Sequence, residues 1–163
     1  MQLKTILNHV ERHKSFVYQE ARWADAQTKT EIEIPIQPRA NSRPICSGCG
    51  HTRPGYDRLG PRRFEFVPLW GIAVFFVYAL RRVNCPQCGV RAERVPWADG
   101  KCQLTTSYQW FLARWARRLS WKQVADGCNY HPAWAQAELM QRTGRGFLVR
   151  VESGIRRTRP TRR

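Results

Sequence analysis

Two Cys-x-x-Cys pairs, a period-two apolar alternation between residues 15 and 84, and a change to three-and-four spacing after Thr105 predict an α+β chain. On this reading a small zinc-ribbon-like β domain is followed by a short helix-turn-helix-like helical segment. The expected boundaries are residues 1–100 for the β domain, 104–142 for the helical segment and 143–163 for an Arg-rich, disordered tail. A chain of 163 residues has room for one ordinary domain or two small ones, each with a thin core. Aromatic residues make up 12% of it, which argues against wholesale disorder.

Residues 2–14 read as a short helix or a lead-in strand. Ser15–Trp23 and Thr30–Gln37 read as two strands around a polar turn at Asp25–Lys29. In the second, Ile32, Ile34 and Ile36 fall on one face and Glu31 and Glu33 on the other. Pro35 has no N–H to give to a ladder, so that run is expected at a sheet edge. Gly50–Arg63, rich in Gly, Pro and Arg, reads as loop. Phe64–Trp70 and Ile72–Asn84 then form a long hairpin turning near Leu69–Gly71, and Val90–Gly100 is a connector. Phe66–Leu80 is the longest uncharged apolar stretch. Its 15 residues, with Pro68 and Gly71 inside, are short of the ~20 a membrane helix needs.

From Thr105 onward, Tyr108, Phe111, Leu112, Trp115, Ala116 and Leu119 define an amphipathic helix, with Arg114, Arg117 and Arg118 mostly on its wet side. Ser120 and Gln123 fit a capping box for a second helix that Asp126-Gly127 ends. Pro132 suits the first turn of a third, through Gln141. Short helices at abrupt junctions are how a helix-turn-helix looks in sequence.

The pairs Cys46-Ser-Gly-Cys49-Gly and Cys85-Pro-Gln-Cys88-Gly carry the strongest chemical signal. Two intervening residues let both thiolates of a pair face one tetrahedral Zn²⁺ at about 2.3 Å. A glycine after each second cysteine permits a tight turn, and the hairpin between the pairs returns the chain to close the site. Four thiolates leave no open coordination position, so one structural zinc ion is expected on Cys46, Cys49, Cys85 and Cys88. A redox role is disfavoured because thioredoxin-like motifs are single pairs in a βαβ context. Cys102 and Cys128 read as small buried hydrophobes, and His51 as a bystander near the site.

Lys plus Arg number 28 and Asp plus Glu 12, a net charge of +16, which points to a polyanionic partner. Residues 1–38 balance five basic groups against five acidic ones, whereas residues 39–94 set ten arginines against Asp57, Glu65 and Glu93. Trp110, Trp115 and Trp121 interleave with Arg114, Arg117, Arg118 and Lys122, and those four cations are the expected phosphate contacts. Gln123, Arg81 and Arg82 complete the expected DNA-binding set, and Gln136 and Gln141 would read bases. The first 25 residues are charged throughout and lack the apolar core of a secretory leader. The expectation is a cytoplasmic, nucleoid-associated bacterial protein on double-stranded DNA, with no membrane partner and with homo-oligomerisation left open.

Several runs carry a family resemblance: Arg43-Pro-Ile-Cys-Ser-Gly-Cys-Gly, Arg62-Arg-Phe-Glu-Phe-Val-Pro-Leu-Trp-Gly, Arg81-Arg-Val-Asn-Cys-Pro-Gln-Cys-Gly, and the segment from Leu104 to Ala125. In that order they resemble the N-terminal part of bacterial insertion-sequence transposases of the ISL-three type. The resemblance implies a zinc-binding domain and a helix-turn-helix that bind transposon terminal inverted repeats, ahead of an RNase H-like domain with an Asp-Asp-Glu triad. Beyond about Gly127 the pattern stops, and the Arg-rich ending looks like the product of a reading-frame shift. Only Asp126, Glu138 and Glu152 follow the helical region, too few to build a catalytic metal site. A truncated, non-enzymatic DNA-binding fragment is therefore expected. The alternatives are a zinc-ribbon protein-interaction module and a non-functional frame-shifted remnant.

Overall fold

The computed structural model describes residues 2–118. The chain divides into two units at Tyr108–Gln109. The first is organised around one long strand.

That strand, β5 (Ile72–Cys85), buries Val74, Phe76, Tyr78 and Leu80 on one face by strict alternation. One edge is taken by β4 (Gly55–Leu69), antiparallel, with Phe64 opposite Phe76 and Phe66 opposite Val74. The two are joined by Trp70 and Gly71, both at positive φ (51° and 79°), a two-residue turn of the type that matches the twist of a hairpin. Along the other edge lies β3 (Glu31–Pro38), parallel, with Ile34 opposite Phe76. Beyond the end of β3, β6 (Gly89–Ala92) takes over that edge, antiparallel, with Val83 opposite Arg91. The outer side of β3 carries two short antiparallel strands, β1 (Phe16–Tyr18) and β2 (Arg22–Trp23). The result is a mixed six-stranded sheet.

This corrects the expected fold class. The described residues are mostly β, in a mixed sheet in place of a simple ribbon hairpin. Only two helices occur among them, α1 (Leu3–Val10) and α2 (Thr106–Ala116), and a helix-turn-helix is not shown. The physical reason lies in β5. It has an apolar face along most of its length and two free edges, so the isoleucine-bearing strand docks beside it as a parallel neighbour. The second and third helices expected from Ser120 and Pro132, and the Arg-rich tail, lie outside the described residues.

Pro35 does not mark an edge strand. β3 is internal, and the proline faces the interruption between β1 and β2, where its own carbonyl accepts the Gln19 N–H at 2.8 Å. N–H and C=O of one strand residue point the same way, so the missing donor falls where the neighbouring strand is broken. The stretch read as loop, Gly50–Arg63, enters the sheet from Gly55 onward. It does so through register shifts between Gly55 and Arg58 and between Arg58 and Pro61, which absorb its Gly and Pro residues.

The core lies on the face where Trp97 sits. Its indole meets Phe16, Tyr78 and Phe64 edge-on, with ring centroids 4.8, 5.3 and 6.1 Å apart. The Trp97 carbonyl accepts the Thr106 N–H at 2.7 Å. Thr105, buried, caps α2 by accepting the Tyr108 N–H on its hydroxyl at 3.3 Å. No helix among the described residues is long and apolar enough to cross a membrane.

The opposite face of the sheet is charged. The Arg63 guanidinium stacks 3.9 Å over the Phe75 ring and pairs with Glu31 and, at 3.5 Å, with Glu33. Glu65 is level with Phe75 in the register. Burial, reinforced by the Glu31 charge and opposed by Arg63, pushes its carboxyl up from 4.5 to about 7. An acid raised in the folded state ionises first in the unfolded chain. Its stabilising contribution is full below 4.5 and is lost as pH rises through about 7. Glu65→Gln should therefore melt above the parent at pH 8 by on the order of 1 kcal/mol, discounted for partial solvent screening, with the two curves converging near pH 4. Equal melting at both ends of a thermal-scan series would rule this out.

Candidate metal centre

The first cysteine pair sits in a tight turn that the backbone closes on itself. Ile45 bridges Thr52, the Cys46 N–H donates to the His51 carbonyl at 2.9 Å, and the Gly50 N–H returns to the Cys46 carbonyl at 3.0 Å. The second pair occupies the β5–β6 turn, where Cys85 stands opposite Gly89. Gly50 and Gly89 have φ of 74° and 72°, the left-handed conformation that a side chain would strain. Each pair thus forms the knuckle its spacing predicts.

The four sulfurs converge. One sulfur from each of Cys46, Cys49, Cys85 and Cys88 lies within 4.8 Å of all the others, and Cys49 Sγ and Cys85 Sγ are 3.6 Å apart. A tetrahedral ion bound at about 2.3 Å needs sulfurs ~3.8 Å apart, so these four can hold a metal ion with little movement. Cys46 and Cys85 are buried and Cys49 and Cys88 half-buried. Burial alone would raise the Cys85 thiol. The Gln87 and Cys88 N–H groups and the neighbouring sulfurs outweigh it and bring the thiol down to about 6. Burial pushes Cys88 up, to about 11.

Arg53 completes the surroundings. Burial lowers its pKa, and the nearby sulfurs of Cys85 and Cys49 outweigh that and raise it. Its N–H donates to the Pro44 carbonyl at 3.0 Å, fixing it to the first knuckle. A cation held against thiolates offsets charge that four of them and one divalent ion leave over. Sequence reading missed Arg53 among many arginines. The signal open to it was the residue's place four positions past Cys49.

Gly48 is constrained by packing. A Cβ there would stand 2.9 Å from Cys88 Sγ and 3.3 Å from Cys88 Cβ, so the two knuckles touch through this position. Gly48→Ala should push Cys88 from its position and weaken metal binding by about 10- to 100-fold, the equivalent of ~1–3 kcal/mol of overpacking. A competition titration against a chromophoric chelator measures it, and an unchanged affinity would show that the knuckles slide apart freely.

The remaining expected site residues fare differently. Arg81 is largely buried and makes a two-pronged ion pair with buried Glu93, at 2.7 Å from Nη2 to Oε2. Arg82 pairs with Asp57 and lies over the Tyr56 ring. Both arginines are engaged within the fold. Arg114, Arg117 and Arg118 are exposed and gather with Phe111 and Trp115 around one cleft. Lys122, Gln123, Gln136, Gln141 and Cys128 lie outside the described residues. His51 is exposed, and Cys102 is buried. Glu93 was read only as an acidic residue, yet it organises the site. Its backbone bridges Cys46, while its carboxylate accepts from the Tyr78 hydroxyl at 2.6 Å and from the Arg81 N–H at 2.8 Å.

Comparison with known proteins adds one relationship. Over 126 residues the chain is 26% identical to the transposase for insertion sequence element IS1557 of Mycobacterium tuberculosis, in each of two strains. The chain is similar to an insertion-sequence transposase. The match takes in 70% of this chain, which spans 28% of the length of those relatives. No family model matches the chain, and no solved structure does.

Proposed function

We propose that this chain is a DNA-binding portion of an insertion-sequence transposase, its β framework fastened by one structural Zn²⁺ on Cys46, Cys49, Cys85 and Cys88. The convergence of those four sulfurs carries the reading. Thiolates are soft ligands that favour zinc over hard cations, and a closed set of four leaves the ion no position for substrate. A net charge of +16 supports a nucleic-acid partner, as does the likeness to a transposase. On this proposal the chain binds at transposon ends in the cytoplasm and does not itself cleave.

The test is fluorescence anisotropy with a labelled duplex carrying the element's terminal repeat, set against a shuffled duplex. Affinity should favour the repeat and fall steeply with salt, by about 0.9 in log–log slope for each phosphate neutralised. A slope near zero would remove the nucleic-acid reading. One observation favours a second reading, a protein-interaction module: Trp70, at the tip of the β4–β5 hairpin, is 94% exposed. That reading expects Trp70→Ala to abolish association with a protein partner while leaving DNA titrations unchanged.

A further inference from the structure

Five arginine and lysine side chains line one open cavity of about 550 Å³, and four of them, Arg12, Lys14, Arg43 and Arg94, form no ion pair with a carboxylate of the described residues. Arg12 and Lys14 come from the turn between α1 and β1, Arg43 from the segment entering the first knuckle, and Arg94 from the chain just after β6. All four are exposed. The carboxylate on the cavity wall, Glu93, is buried and already taken by Arg81 and Tyr78. The cavity therefore presents a net positive lining, in contrast to the sheet face where Arg22 and Arg63 are matched by Glu31 and Glu33.

The walls are fixed by backbone hydrogen bonds. The Arg39 N–H donates to the Ser15 carbonyl at 2.9 Å, which ties the approach to the knuckle onto β1. The Arg94 N–H donates to the Ile45 carbonyl at 2.8 Å, which ties the exit from β6 onto the knuckle itself. Arg81 spans the floor, giving one N–H to the Ser42 carbonyl at 2.9 Å. Three separate stretches of chain are thus locked so that like charges face a common space. Like charges repel, so the isolated fold gains nothing from that arrangement, whereas a polyanion lying in the cleft gains from all four at once.

We infer that this cleft is a binding site for the phosphodiester backbone of DNA, built from Arg12, Lys14, Arg43 and Arg94 and standing beside the cysteine knuckles. The inference rests on the DNA-binding reading above and assigns phosphate contacts to residues other than Arg114, Arg117 and Arg118. The contacts are to phosphates, so the cleft positions the duplex and carries no base preference of its own.

The full-length chain with Arg12, Lys14, Arg43 and Arg94 all changed to Ala tests this by anisotropy on the terminal-repeat duplex. Metal content and melting should match the parent. Affinity near physiological salt should fall by at least about tenfold, and the salt slope should become shallower by roughly 3 to 4, about 0.9 for each phosphate no longer neutralised. The control is Lys29→Ala with Arg58→Ala and Lys101→Ala, which removes exposed charge elsewhere and should shift the slope by less than about 1 in total. If the quadruple variant fails to fold, Arg12→Ala and Lys14→Ala singly should each lower the slope by about 0.9. An unchanged slope in variants of a parent that does bind duplex, or a decrease per charge equal to the control's, overturns the cleft and leaves the DNA reading standing. No duplex binding by the parent, or binding to anionic phospholipid vesicles in its place, overturns both.

Discussion

With the proposed zinc on Cys46, Cys49, Cys85 and Cys88, chelation should unfold the cysteine end of the sheet and lower the chain's stability by several kcal/mol. The cores show why. Along Ile72–Leu80 the sheet rests on a large apolar cluster that includes Phe64, Phe76, Tyr78 and Trp97. Farther along the same strand only Val83 joins the cysteines in a second cluster. There the four-thiol centre takes the part that apolar burial plays elsewhere. A structural zinc of this kind is worth about 10–16 kcal/mol in small peptides, comparable to the ~5–15 kcal/mol total stability of an ordinary domain. Purified protein should hold one zinc per chain by elemental analysis. Excess chelator should expose the four cysteine thiols to a colorimetric thiol reagent, while the near-ultraviolet ellipticity of the aromatic cluster around Trp97 is retained in large part. Cys85→Ser should purify without metal and melt at least about ten degrees lower, since removing one ligand opens the site. Metal-free protein that melts where the parent does would refute a structural ion.

The cysteine centre was legible because its constraints are local. A two-residue spacing and a following glycine are what a knuckle needs, and both glycines have the positive φ that this predicts. The hairpin that brings the pairs together was legible from its alternation and from Gly71 at the turn. What escaped was non-local. Nothing in Thr30–Gln37 says that its neighbour is β5 and lies parallel, so Pro35 was given its usual edge meaning, whereas a break in the adjoining strand accommodates it. Gly55–Arg63 looked like loop because its Gly and Pro are tolerated only through bulges against a partner strand. Arg81 and Arg82 entered the expected DNA-binding set, and charge along a sequence does not reveal that Glu93 and Asp57 stand opposite them. Arginines with fixed partners and those without are identical in composition. Only the fold separates Arg81 from Arg94.

Glu93→Ala should be the most damaging single change away from the cysteines, at about 3–5 kcal/mol, because it leaves a buried charge without its partner. The carboxylate accepts from the Arg81 guanidinium through both oxygens, from the Arg81 backbone N–H and from the Tyr78 hydroxyl, so all of these donors lose their acceptor together. Arg81 is also the link to the Ser42 carbonyl, and the backbone of Glu93 is bridged to Cys46. The damage should therefore reach the metal. Urea unfolding should show the lost stability, and a chelator competition should show weaker binding, while Glu20→Ala at the exposed pair with Lys4 changes neither. Replacing both partners separates the two roles of the pair. Arg81→Met with Glu93→Leu removes the stranded charge and should recover much of the stability lost by Glu93→Ala, as apolar replacements of buried ion pairs commonly do. Metal affinity should recover with it if the pair acts through packing alone, and should stay low if the Arg81 bond to Ser42 is what orients the first knuckle. A Glu93→Ala chain as stable as the parent would mean that this pair is solvated and adds nothing to the backbone hydrogen bonds that join the sheet to the knuckle.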